Sequence, residues 1–173
     1  MLPKLTLVLG GAASGKSQYA ETLVLNDGRR PVYLATAEAW DDEMRAKIDK
    51  HIARRGAEWR SIDCAQDTEA QLGQCDAGEV VLLDCATMWL SARMMAEQDL
   101  TEATQSLLTA LDTCAAAVVV VSNELGLSVV PENAMARQFR EAQGRLNQEI
   151  AARADLVAAV MAGLPLALKG RLP

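Results

Sequence analysis

One histidine in 173 residues, His51, and four cysteines with no CxxC spacing leave the chain without a zinc-type ligand set. Cys64, Cys75, Cys85 and Cys114 are therefore expected to be reduced and structural. No apolar run approaches the ~20 residues that span a bilayer, and a loop motif already under way by residue 10 leaves no signal-peptide pattern ahead of it. These absences point to the cytoplasm. The net charge is −6 and no block of Lys or Arg is long enough to track a polyphosphate backbone, which argues against nucleic acid as a partner. A small anionic ligand held by local donors fits better. No internal repeat or low-complexity linker breaks the chain. With half of its residues hydrophobic, it should form one domain over residues 1–173 with a full core.

What is present is Gly10-Gly11-Ala12-Ala13-Ser14-Gly15-Lys16-Ser17, which meets the phosphate-loop pattern GxxxxGK[ST] at every specified position. Ahead of it, residues 5–9 read as a buried strand. Behind it, residues 18–25 read as a helix with Ala20, Leu23 and Val24 inward. That order matters, because the glycines let backbone N–H groups close on phosphate oxygens at the positive end of the helix. Lys16 should reach the β- and γ-phosphates, and the Ser17 hydroxyl should ligate Mg²⁺. The competing reading is a chance Gly/Ser turn, which the strand and helix on either side disfavour.

Further on, residues 31–35 form a second strand leading into Thr36-Ala37-Glu38, site candidates because ligands of parallel sheets sit beyond the carboxyl ends of strands. A helix from 41 to about 55 follows, with acids at its start and Arg54 and Arg55 at its end. Met44, Ile48, His51 and Ile52 share one face of it, a pattern that by itself suits a partly buried histidine. Residues 58–63 are extended and 68–75 weakly helical. Residues 79–84 form a continuous apolar run ending in Asp84. Asp84 is either the Walker B acid or a cap or turn residue. Helices are expected over 88–95 and 102–114 around a polar turn at Gln98-Asp99, then a strand over 117–121. A long helix runs from Pro131-Glu132-Asn133 to about 153, with Phe139, Leu146 and Ile150 as its core stripe. Strands 156–161 and 164–168, joined at Gly163, should make an antiparallel hairpin. The fold class is α/β: a P-loop NTPase-like domain with a mainly parallel sheet flanked by helices and an antiparallel edge strand.

A regulatory GTP switch should carry NKxD after a late strand, where this chain has Asn123-Glu124-Leu125-Gly126. A motor or recombination-type ATPase usually needs a larger body. A small-molecule kinase or nucleotidyltransferase suits the size. The run Val121-Ser122-Asn123-Glu124-Leu125-Gly126, then Val130-Pro131-Glu132-Asn133, Ala136-Arg137, Phe139-Arg140, Gly144 and Leu146-Asn147-Gln148, resembles the bifunctional adenosylcobinamide kinase and adenosylcobinamide-phosphate guanylyltransferase family of cobalamin biosynthesis. Tyr33-Leu34-Ala35-Thr36-Ala37, Asp42-Glu43-Met44 and Lys47-Ile48 with His51 extend the likeness. It runs from the loop at Gly10 to Leu166, nearly the whole chain.

The resemblance implies two steps. Adenosylcobinamide is phosphorylated with ATP or GTP, and GMP is then transferred from GTP to that phosphate. A histidine carries the guanylyl group in this family, and His51 alone can fill the role, against the core-histidine reading above. By the same match, nucleotide contacts fall to Gly10, Gly11, Ala12, Ala13, Ser14, Gly15, Lys16 and Ser17, to Thr36, Ala37 and Glu38, to Ile52, Ala53, Arg54 and Arg55, and to Asp63 and Asp84. Mg²⁺ falls to Ser17 and Asp84. Asp63 and Asp84 stand where relatives often carry glutamate, one methylene longer. The family's members associate as homotrimers. The alternative is a monofunctional P-loop kinase without a covalent intermediate. No aromatic cage or cobalt ligand marks a corrinoid pocket.

Overall fold

The computed structural model describes residues 1–37 and 56–173. In chain order the elements are β1 (Leu5–Gly10), α1 (Lys16–Leu25), β2 (Arg30–Ala35), β3 (Arg60–Asp63), α2 (Thr68–Leu72), β4 (Glu79–Asp84), α3 (Ala86–Met95), α4 (Leu100–Thr113), β5 (Ala117–Asn123), α5 (Ala134–Arg153), β6 (Leu156–Met161) and β7 (Leu164–Lys169). The strands form one seven-stranded sheet in the order β3-β2-β4-β5-β1-β6-β7. Every neighbouring pair is parallel except β6 and β7. The helix read from the sequence over 41–55 lies outside the described residues.

The central strands are apolar at successive positions because both faces of the sheet are covered. Leu7, Leu34, Leu83 and Val120 point to one side, against Trp89 of α3, Leu107 of α4 and Leu146 and Ile150 of α5. Their neighbours Val8, Tyr33, Leu82 and Val121 point to the other, against Ala20, Leu23 and Val24 of α1. The inward positions read for α1 are thus the buried ones, and Phe139 packs against the α5 side of the core.

Capping chemistry moves several helix starts. α4 begins at Leu100, two residues early, because the Asp99 carboxylate accepts from the N–H groups of Thr101 and Glu102 at 2.8 and 3.1 Å. α3 begins at Ala86, where the Cys85 sulfur accepts from Met88 N at 3.4 Å. α5 starts only at Ala134, after Asn133 caps Ala136 N at 3.1 Å. α2 stops at Leu72, ahead of Gly73. The β6–β7 hairpin turns at Ala162 (φ 52°) and Gly163 (φ 77°), two left-handed residues whose twist matches that of the strands. Below the sheet, Asp27 holds the amino-terminal segment by accepting from Leu2 N, and the Arg29 guanidinium hydrogen-bonded to it lowers its carboxyl to about 2. Among the described residues no helix is long and apolar enough to cross a membrane.

Candidate functional site

The strand register gathers the sequence-predicted residues at one edge of the sheet. Ala35 pairs with Asp63 on one side and with Asp84 on the other. Asp84 pairs with Val121, and Val121 with Val8, two residues before the loop begins at Gly10. The carboxyl ends of β3, β2, β4, β5 and β1 therefore form one row, with the phosphate loop at one end and Asp63 at the other.

The loop folds back on its own first residue. A Cβ on Gly10 would lie 2.3 Å from Ser14 Oγ and 2.7 Å from the Val160 carbonyl oxygen, so only glycine fits there. At the other end Gly15 (φ 91°) is the N-cap of α1 and contributes no side chain. The first intrahelical bond is Tyr19 N to Gly15 O at 3.0 Å, which leaves the preceding amide donors of the first turn without a cap. Their N–H groups and the helix dipole present positive potential to the space over the loop. Gly163 of the β6–β7 turn donates to Ser14 O at 2.8 Å, so the terminal hairpin braces the loop from outside. Lys16 Nζ donates to Gly11 O at 3.1 Å, lying back across the loop. The Ser14 hydroxyl is buried without a hydrogen-bond partner among the described residues.

Asp84 is held from two directions. Tyr33, almost fully buried on β2 with its ring edge-on to Trp59 at 6.2 Å, donates its hydroxyl to Asp84 Oδ2 at 2.9 Å. Thr36 N donates to the Asp84 carbonyl at 3.2 Å. The Thr36 hydroxyl bridges both backbone groups of Cys85, donating to its carbonyl at 2.7 Å and accepting from its N–H at 2.8 Å. Thr36 is fully buried, so its side chain secures the end of β4. Burial pushes the Cys85 thiol up to about 11, with the Asp84 carboxylate adding to the shift and Lys16 opposing it. Desolvation likewise raises Cys64 and Cys75 to about 11 and raises Cys114, and all four cysteines are free thiols.

With Tyr33 on Oδ2, Asp84 Oδ1 has no hydrogen bond among the described residues. Together with the Ser17 hydroxyl this is an all-oxygen donor set with a single carboxylate, which fits Mg²⁺ completed by phosphate oxygens and water. Among the described residues no group of three or more His, Cys, Asp and Glu gathers to hold a metal by itself. Ala37 follows Thr36 at the same edge, and Asp63 is exposed at the end of the edge strand. Glu38, His51, Ile52, Ala53, Arg54 and Arg55 lie outside the described residues.

Two features went unassigned in the sequence reading. One is Tyr33 as the anchor of Asp84. The other is a buried polar cluster behind the site. Ser122 Oγ donates to Asn147 Oδ1 at 2.6 Å, Gln143 Nε2 donates to Ser122 Oγ at 2.9 Å, and Asn147 Nδ2 donates to Asn123 O at 3.0 Å. With Glu124 N on Gly10 O at 3.1 Å, the cluster fixes the end of β5 against the loop. Its signal was a Ser-Asn pair ending an apolar strand, and two amides four residues apart on the inner face of a helix.

Residues 6–168 match the protein family described as cobinamide kinase / cobinamide phosphate guanyltransferase. Over 95% of its length the chain is 41% identical to the bifunctional adenosylcobalamin biosynthesis protein CobP of Pseudomonas aeruginosa, covering 96% of that protein. It is 37% and 38% identical to the bifunctional CobU proteins of Escherichia coli and Salmonella typhimurium, over 94% of this chain and 98% of each. Among solved structures, it resembles an ATPase from the type III secretion system of pathogenic bacteria (TM-score 0.58, 10% identity, 96% of this chain and 57% of that longer one). The RadB recombinase aligns with a TM-score of 0.50 at 18% identity, over 91% of this chain and 74% of that one. At such identities these two share the fold alone.

Proposed function

The chain belongs to the cobinamide kinase / cobinamide phosphate guanyltransferase family, and from that premise we propose a two-step enzyme that uses one phosphate loop twice. It is a transferase of cobalamin biosynthesis. In the first step the aminopropanol hydroxyl of adenosylcobinamide takes the γ-phosphoryl group of ATP or GTP. In the second, GMP passes from GTP to the new phosphate, pyrophosphate leaves, and adenosylcobinamide-GDP forms. The observation that carries the reading is the uncapped amino terminus of α1 behind Gly15, with Lys16 over the loop and Asp84 held at the neighbouring strand ends.

Each residue then has a task. Amides of residues 10–17 and Lys16 hold the triphosphate, and their charge opposes the negative charge gathering on the transferring group. Ser17 and Asp84 hold Mg²⁺, which when bound neutralises phosphate oxygens. Ala37, Glu38, Ile52 to Arg55 and Asp63 form the remainder of the nucleotide site, and Thr36 supports it from behind by securing the end of β4. His51 is the nucleophile of the second step: a ring nitrogen attacks the α-phosphorus as pyrophosphate departs, and the phosphate of the corrinoid then displaces imidazole. The same reading includes one catalytic domain over residues 1–173, a homotrimer and a cytoplasmic location.

Incubation with adenosylcobinamide, Mg²⁺ and GTP, with products identified by mass, tests the two-step reading. Both adenosylcobinamide phosphate and adenosylcobinamide-GDP should form. The phosphate alone, even with excess GTP, would return the protein to the class of simple kinases.

Asp84→Asn addresses the metal assignment. The amide keeps the shape at the strand end and a carbonyl oxygen for Tyr33 but removes the charge, so both reactions should need a higher Mg²⁺ concentration while the thermal melt stays close to wild type. Superimposable Mg²⁺ titrations for variant and wild type would leave Asp84 as a turn residue.

A further inference from the structure

The loop from β5 to α5 leaves the carboxyl edge of the sheet beside the phosphate loop, tied there by Glu124 N on Gly10 O. It then exposes three apolar side chains in close succession: Leu127 and Val129 are each 89% exposed and Val130 65%. Behind it runs a groove of about 530 Å³ against the outer face of α5. Gly126 and Val130 line its loop side, and Arg137, Arg140 and Arg145 its helix side. Three guanidinium groups face two carboxylates: Glu141, which pairs with Arg145 at 3.6 Å, and Glu124, which accepts from Gly126 N at the loop side. This local excess of positive charge stands out on a chain whose net charge is −6.

Two of the arginines are preorganised. Arg137 Nη1 donates to the carbonyls of Pro131 at 3.0 Å and Glu132 at 2.5 Å, and Arg140 Nη2 donates to that of Gly126 at 2.5 Å. A guanidinium carries five N–H donors, so each keeps others for an anion while its backbone contacts fix its plane. The groove thus offers rigid cations beside an apolar rim, at the edge of the sheet where the nucleotide phosphates are read. A substrate that is a broad ring with methyl and amide groups along its edge and a phosphate on one flexible arm matches both halves, its methyl groups the apolar rim and its phosphate the arginines. The volume suits the arm and one side of such a molecule, with the rest of the ring outside.

We propose that this groove binds cobinamide phosphate, with its phosphate on Arg137 and Arg140 and the edge of its macrocycle on Leu127, Val129 and Val130. The assignment rests on the two-step reading above and adds to it a place for the acceptor of the second step. Guanylylated product, with a diphosphate on the same arm, has the same complementarity. Unphosphorylated cobinamide has only the apolar rim to hold.

The test is a double variant, Arg137→Gln with Arg140→Gln, which keeps an amide donor for each loop carbonyl and removes both charges. KM is measured for cobinamide phosphate and GTP in guanylyl transfer and for cobinamide in the kinase step, beside light scattering and a thermal melt. Loss of charged hydrogen bonds in an open groove should raise KM for cobinamide phosphate about tenfold. KM for GTP and for cobinamide should stay at the wild-type value. Wild-type KM for cobinamide phosphate should rise with salt, and the variant's should rise less steeply, Arg145 alone remaining in the groove. Leu127→Asp, at a side chain the fold does not bury, should raise KM for both corrinoids and covers the case of a double variant that does not fold. An unchanged KM for cobinamide phosphate in a folded variant overturns the proposal, as does a changed association state, which would make the groove a contact between copies. A wild-type protein that makes no cobinamide-GDP would overturn the two-step reading and the groove with it, whereas normal wild-type turnover beside an unaffected variant removes the groove alone.

Discussion

Lys16→Ala should cost both phosphoryl and guanylyl transfer about 10³-fold or more, on the scale of losing one preorganised charge from a phosphate site. The reason is economy of sites: among the described residues there is one phosphate loop, and both reactions consume a triphosphate. The Lys16 ammonium lies back on Gly11 O at 3.1 Å, within the loop it serves, and nothing in the core depends on it. Stability should therefore change little, and a thermal melt beside the two rates separates chemistry from folding. A variant whose guanylyl transfer stayed near normal would require a second nucleotide site away from residues 10–17.

The fold was legible where burial is two-sided. The apolar runs of β1, β4 and β5 mark strands with no outward-facing residue, and Gly163 marks the hairpin because two left-handed residues are needed there. Helix starts were less legible, since Asp99 and Cys85 act through hydrogen bonds to backbone two or three residues on, a relation that apolar periodicity does not register. The loop and Asp84 were readable as motif and strand-end acid. What fixes Asp84 was not, because Tyr33 and Asp84 are 51 residues apart and meet only when β2 and β4 pair in register. Thr36 shows the same limit: a strand-end position suggests a ligand contact, while its hydroxyl is occupied by the Cys85 backbone. Gln143 and Asn147 look like surface amides of a polar helix until Ser122 is placed beneath them.

His51→Ala should divide the two reactions, because only the second is proposed to pass through a covalent intermediate. With the imidazole gone, enzyme-bound GMP and adenosylcobinamide-GDP should fall below detection, while phosphoryl transfer to adenosylcobinamide continues, its loop, Lys16 and Asp84 being intact. The competing account starts from the sequence pattern, in which His51 shares a helix face with Met44, Ile48 and Ile52. On that account the substitution removes packing and costs about 1–3 kcal/mol of stability, and both activities decline together as the protein melts earlier. GTP labelled at the α-phosphate gives the decisive readout. After denaturation, wild-type protein should retain label that acid releases and base does not, as a phosphoramidate behaves, and the variant should retain none. A His51→Ala protein that still makes adenosylcobinamide-GDP at the wild-type rate would end the covalent mechanism and leave direct attack of the corrinoid phosphate on GTP.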